Sequence, residues 1–206
     1  MVDIKICGLT TLEDAQVALD AGADFLGFVL YPQSPRAVTC DTLARITSSL
    51  GKGARCVGVF VNSMAAEVRQ TALDCGLAAV QIHGDEQAGD FLDMPVPVWR
   101  ALRVDAGGCR PEPAAWPMAV RYVADAAVPS GYGGSGIKAD WEQAATLAAQ
   151  IPVMLAGGLT PANVAAAIDQ VHPLGVDVSS GVECSPGRKS HAAVRAFVAA
   201  ARAAGQ

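Results

Sequence analysis

Eight short apolar runs, each followed by a segment with helical spacing, predict a single parallel (β/α)8 barrel. The length agrees: 206 residues suit one such barrel, which commonly occupies about 200–250 residues. The runs fall at 3–7, 24–30, 55–61, 78–82, 96–102, 120–125, 152–156 and 174–178. Most are β-branched and apolar at consecutive positions, as strands are when both faces are buried. A doubly wound sheet is the competing topology. It would leave two open edges, and the GxGxxG turn of its dinucleotide-binding form does not follow the first run.

The intervening segments carry helix signals. Thr10 and Glu13 read as a capping box opening 11–21, where Leu12, Ala15 and Leu19 keep helical spacing and Gly22 ends the turn. Asp140 and Gln143 do the same for 141–150, and Thr160-Pro161 opens a helix carrying Val164 and Ile168. Further helices are expected near 41–49, 64–75, 86–93 and 189–203. The fifth connection, 104–118, holds Gly107, Gly108, Pro111, Pro113 and Pro117, so a loop or a degenerate helix is expected there.

Composition narrows the functions. Hydrophobic residues make up 51% and charged residues 17%, with a net charge of −5, so one compact domain over 1–206 is expected. The basic residues are scattered singly, which argues against a nucleic-acid partner, and the acidic balance argues against anionic membranes. No apolar run approaches the roughly 20 residues that span a bilayer. The amino terminus has no basic-then-apolar leader pattern. Six cysteines without a CxxC read as reduced thiols, and a cytoplasmic location is expected.

Function in such barrels gathers at the carboxyl ends of the strands. The first strand ends at Cys7-Gly8 beside Lys5, whose charge would favour a thiolate. The second leads to Pro35-Arg36, and an arginine fork matches a carboxylate. The fourth ends at His83 and the sixth at Asp125, where burial would suit a carboxyl group to proton donation. A glycine-rich stretch, 130–136, follows Asp125. The seventh strand ends at Gly157-Gly158 and the eighth at Asp177, ahead of Ser180-Gly181. Glycine admits an anion close to the backbone, and a helix start supplies unpaired N–H groups, so these two turns read as a phosphate cradle. Taken singly, Cys7 also reads as a small buried hydrophobe, Asp125 as a loop cap and Arg36 as a solvated side chain. His83 has no partner at metal-ligand spacing, so no metal is expected, and no GxSxG elbow suggests a nucleophilic triad.

Taken in order, these strand ends resemble the phosphoribosylanthranilate isomerases of tryptophan biosynthesis. The likeness runs from Lys5-Ile6-Cys7-Gly8-Leu9-Thr10 through Gly27-Phe28-Val29, Pro35-Arg36, 57–62 and Val80-Gln81-Ile82-His83-Gly84. It continues through 132–136, Asp140-Trp141, 156–161 with Asn163, and 177–183. The resemblance implies an Amadori rearrangement of N-(5-phosphoribosyl)anthranilate to 1-(2-carboxyphenylamino)-1-deoxyribulose 5-phosphate, without cofactor or metal. By position it makes Asp125 the acid that opens the ring and Cys7 the base that takes the C2 proton. Arg36 would hold the anthranilate carboxylate, with His83 also a substrate contact and Asp177 near the anthranilate nitrogen. Gly157, Gly158, Ser180 and Gly181 would bind phosphate. The partner expected is this small molecule, with the chain a monomer or homodimer. Two segments depart from the family: Ala126-Ala127 stands where Thr-Lys usually follows the acid, and Ala156 replaces a serine. Alternatives are another sugar-phosphate isomerase barrel, or a non-catalytic barrel that binds a phosphorylated metabolite. The first is disfavoured by the lack of metal-ligand histidines and by Cys7 at the first strand end, and the second by the joint presence of Cys7 and Asp125.

Overall fold

Every strand expected from the sequence forms, in the expected order. A computed structural model describes residues 1–51, 53–126 and 140–205. The barrel strands are β1 (Asp3–Ile6), β2 (Phe25–Val29), β3 (Cys56–Phe60), β4 (Ala79–Ile82), β5 (Val98–Asp105), β6 (Arg121–Ala126), β7 (Val153–Leu155) and β8 (Gly175–Val178). Each pairs in parallel with the next, and β8 pairs in parallel with β1, so the sheet closes.

Closure divides the side chains into two populations, because neighbouring residues on a strand point to opposite faces. The outward set, including Ile4, Ile6, Leu26, Phe28, Val80 and Ile82, packs beneath the helices in the main core. The inward set of Phe25, Val57, Ala79, Trp99, Ala101, Val123, Met154 and Ala156 fills the barrel. Phe25 and Trp99 meet edge to face at 4.8 Å, and the Arg121 guanidinium lies over both rings while pairing with Asp3. This plugs the amino end. Inward positions nearer the carboxyl end are polar instead: Lys5, Gln81, Asp125 and Asp177 are all buried.

The helices are α1 (Leu12–Asp20), α2 (Cys40–Leu50), α3 (Ala65–Asp74), α4 (Trp141–Ala148), α5 (Val164–Val171) and α6 (His191–Ala204). Burial of one face holds each in place. In α5, Val164, Ala167, Ile168 and Val171 are buried, and each larger side chain contributes roughly 1.5–3 kcal/mol. Asp140 caps α4 as expected, accepting from the backbone of Glu142 and Gln143. Two caps shift by a few residues. Thr11, not Thr10, accepts from Asp14 N, while the Thr10 hydroxyl donates to Gly187 O at 2.6 Å. Asn163, not Thr160, occupies the N-cap of α5, its Oδ1 accepting from Thr160 N and its Nδ2 donating to Gly158 O. Contacts with loop backbone decide both cases: they draw Thr10 away from the helix end and fix Asn163 at one.

The connections differ most. Where 86–93 reads as a helix, only a 3-10 turn forms, Ala88–Phe91, which inserts Phe91 into the core. No α-helix forms between β5 and β6. Strand β5 runs three residues beyond its expected end and folds back on an antiparallel segment, Gly108–Arg110. A 3-10 turn, Pro113–Ala115, then delivers Trp116 into the helical layer, where it packs beside Phe91 and under Arg100. After β8 the chain makes a small hairpin of Glu183–Ser185 with Arg188–Lys189, which the sequence does not announce. No described helix is long and apolar enough to cross a membrane.

Candidate active site

Strand parity assembles the site. Cys7 lies two residues beyond Lys5, His83 two beyond Gln81, Asp125 two beyond Val123 and Ser179 two beyond Asp177, so all of them share the inward face. One cleft at the carboxyl end is lined by Cys7, Arg36, His83, Asp125, Gly157, Gly158, Asp177, Ser180 and Gly181. Every site residue expected from the sequence is therefore in one place. Gln81, Val59, Val123, Ala156 and Ser179 are also part of the wall. The glycine-rich 130–136 and Ala127 lie outside the described residues.

Two turns form one side. Gly157 and Gly158 have φ of 83° and 64°, a left-handed pair that side chains strain to adopt. Gly181 sits against them: a Cβ there would lie 1.8 Å from Leu159 O. The turns after β7 and β8 thus touch through bare backbone, and Asn163 ties the first of them to α5.

Just beyond the second turn, Glu183 grips Arg36 with two 2.8 Å bonds, to Nε and Nη2, and also accepts from Lys189 Nζ at 2.9 Å. Burial pushes the Glu183 carboxyl up, but these donors outweigh it and hold it below its ordinary range. The Nε–Nη2 edge of the fork is committed within the protein, so a ligand carboxylate would meet the outer Nη edge.

The floor is an ionic network. Lys5 is wholly buried, and its ammonium donates to Asp177 Oδ2 at 2.8 Å and Gln81 Oε1 at 2.9 Å. In-register pairing of Lys5 with Asp177 across the β1–β8 seam produces the ion pair. Burial works against the ammonium, yet Asp177 and Cys7 leave the Lys5 pKa raised. For Cys7 the balance differs from the sequence expectation. Burial pushes the thiol up and Asp177 adds to this, while Lys5 and Lys189 pull it down; the outcome is a raised pKa. Lys5 favours the thiolate, as expected, but desolvation is larger. Gly27 makes the arrangement possible, since a Cβ there would lie 2.8 Å from Cys7 Sγ and 2.9 Å from Lys5 Cε.

His83 Nδ1 lies 3.1 Å from Gln81 Nε2, and its Nε2 lies 3.7 Å from Asp125 Oδ2. Burial first, and then Lys5, Arg100 and Arg103, push the imidazole down to about 3, so it is neutral. Two buried polar atoms face the cleft wall without a partner: Asp177 Oδ1 and Ser179 Oγ. Among the described residues no group of three His, Cys, Asp or Glu side chains is disposed to hold a metal ion.

Sequence reasoning missed Gln81, Glu183 and Lys189 as parts of the site. Gln81 had a usable signal: it is an amide inside an apolar strand, two residues from a histidine at the strand end. The Arg36–Glu183 pair spans 147 residues and left no local trace.

Comparison with known proteins identifies the family. The family model described as N-(5'-phosphoribosyl)anthranilate (PRA) isomerase matches residues 4–200. A curated relative of that name from Pelobacter propionicus is 46% identical over 98% of this chain and 96% of its own. A solved phosphoribosyl anthranilate isomerase from Thermus thermophilus superposes with a TM-score of 0.87 at 35% identity, covering 98% of this chain and 99% of that one. Another, in complex with reduced 1-(o-carboxyphenylamino)-1-deoxyribulose 5-phosphate, gives 0.82 at 34% identity over 98% of this chain and 100% of that one. The chain belongs to the N-(5'-phosphoribosyl)anthranilate isomerase family.

Proposed function

We propose that Cys7 and Asp125 are the base and acid with which this chain isomerises N-(5'-phosphoribosyl)anthranilate. The observation that carries the reading is convergence. A buried thiol, a buried carboxyl group, an arginine and two touching glycine turns, drawn from strands far apart in sequence, line one cleft. A solved relative holds a reduced form of the reaction product, which makes that molecule the natural occupant to consider.

The substrate phosphate is assigned to Gly157, Gly158, Ser180 and Gly181, where unencumbered backbone can approach an anion. The anthranilate carboxylate goes to the outer edge of Arg36, which Glu183 holds rigid from behind. Asp177 Oδ1, buried and unpartnered, is suited to accept the anthranilate N–H. Asp125 gives its proton to the ring oxygen as the nitrogen lone pair expels it, leaving a protonated Schiff base. Cys7, having given its thiol proton to solvent to reach the thiolate that Lys5 favours, then takes the C2 proton; the C–H pair becomes the C1=C2 bond and the C=N pair moves to the nitrogen, forming the enolamine. A proton returned to C1, with loss of the proton of the C2 hydroxyl, gives the ketone. Lys5 stabilises the thiolate at the moment it is required, within a site where each opposing charge is already placed. The cysteines of the described chain are free thiols, and a reducing cytoplasm would keep Cys7 competent.

The test is the loss of substrate fluorescence on freshly prepared phosphoribosylanthranilate. Cys7→Ser and Asp125→Asn are expected to lower kcat by about 10²–10⁴-fold each with the fold retained. Near-normal turnover in either variant would remove the role given to that residue.

A further inference from the structure

The amide of Gln81 can be oriented without seeing a hydrogen. Its two polar ends face different partners: Oε1 lies 2.9 Å from Lys5 Nζ, and Nε2 lies 3.1 Å from His83 Nδ1. An ammonium can only donate, so the end facing Lys5 must be the carbonyl oxygen. Turning the amide over would set two donors against each other in a site from which water is excluded; Lys5 is fully buried and Gln81 is 1% exposed. The NH2 end therefore faces His83, and it too can only donate, so Nδ1 is an acceptor. A neutral imidazole that accepts at Nδ1 carries its proton on Nε2. That nitrogen looks at Asp125 Oδ2 across 3.7 Å, a separation that a bound substrate could readily close.

We propose that Gln81 is a positioning residue of the reaction, locking His83 in its Nε2–H form so that a neutral donor faces Asp125. The inference rests on the reading of Asp125 as the acid. The consequence is specific to the proton-giving step. When Asp125 protonates the ring oxygen it becomes a carboxylate, and the His83 N–H is in place to stabilise that charge without adding a charge of its own. A chain of side chains then runs to the acid from the ammonium whose charge favours the Cys7 thiolate: Lys5, Gln81, His83, Asp125. The imidazole is kept neutral by burial, by Lys5 across the barrel floor and by Arg100 and Arg103 on the neighbouring β5, which completes the logic: an imidazolium would donate at Nδ1 as well and clash with the amide. Strand parity supplies the framework, because Gln81 and His83 stand two residues apart along β4 and face inward together.

Nitrogen-15 spectra of the imidazole rings read the tautomer directly. The chain has three histidines, and the His83 signals are those lost in His83→Asn. Wild-type protein is expected to show His83 neutral and protonated on Nε2 from pH 5 to pH 8. In Gln81→Glu a carboxylate oxygen faces Nδ1 and demands a proton there, so the ring should change to the Nδ1–H tautomer or become an imidazolium. In Gln81→Met the tautomer should be mixed. Turnover of Gln81→Met should fall about 10- to 100-fold in kcat, the worth of one hydrogen bond to a charged group, with KM within about twofold. A wild-type His83 protonated on Nδ1, or a Gln81→Met protein with the wild-type tautomer and kcat, overturns the proposal. The Asp125→Asn assay fails separately: full turnover there would remove the acid from Asp125 while leaving the tautomer measurement standing.

Discussion

The chemistry of single residues here is set by opposed terms, and Cys7 is the plainest case. Burial and the charge of Asp177 hold the thiol protonated, while Lys5 and Lys189 favour the thiolate. From sequence, Lys5 alone was visible, because desolvation depends on what the barrel packs around a residue. Asp177→Asn removes a negative charge that opposes the thiolate and leaves Lys5 in place. The midpoint pH for alkylation of Cys7 by iodoacetamide, followed on the Cys7 peptide by mass spectrometry, is expected to move to lower pH than in the wild type. A midpoint that stays or rises would mean that Asp177 acts on Cys7 mainly by anchoring Lys5. The same contrast explains Arg36. Its residue type and place before β3 were legible, but the carboxylate that fixes it comes from Glu183, on the far side of the chain in sequence.

At the scale of elements, the strands were legible because a barrel strand buries both faces and so writes a continuous apolar run. Connections were less so. Nothing in Ala106-Gly107-Gly108 distinguishes an open loop from the tight turn that lets Gly108–Arg110 return along β5. Caps slipped by one to three residues because Thr10, Thr11, Thr160 and Asn163 all satisfy the pattern, and only the loop contacts choose among them. The glycine turns carry the clearest element-level expectation. Gly181→Ala sets a methyl group into Leu159 O, a backbone atom that cannot swing aside. The turns after β7 and β8 must then part. The variant should lose about 1–3 kcal/mol, a fall in Tm of about 2–4 °C per kcal/mol, and its KM should rise at least tenfold while competitive inhibition by inorganic phosphate weakens in parallel. Unchanged phosphate inhibition would place the anion elsewhere on the rim.

Across the whole molecule, the barrel is an apolar cylinder with an aromatic plug at one end and an ionic floor beneath the cleft at the other. Parity makes this readable in hindsight: of the buried polar residues that interrupt the apolar runs, Lys5, Gln81, Asp125 and Asp177 fall on inward positions near the strands' carboxyl ends, while Arg100 faces the helical layer. The sequence could say that these positions were unusual; only closure of the sheet says that they meet. Such a floor ties global stability to pH through His83. Its imidazole is pushed down to about 3 in the folded chain, against about 6.5 when unfolded. Between those values the unfolded chain binds one proton more than the folded one, so stability falls as pH falls through the window, by at most about 1.4 kcal/mol per pH unit. The contribution is complete above about pH 6.5 and is progressively lost below it. In His83→Gln this dependence disappears, whatever the substitution costs at neutral pH. Urea unfolding at pH 7, 6 and 5 should therefore give a stability line for the variant that is flatter than the wild type's below pH 6.5, by on the order of 1 kcal/mol per pH unit. Parallel lines would mean that the folded barrel admits a protonated His83, and with it that the neutral donor facing Asp125 is not enforced by the fold.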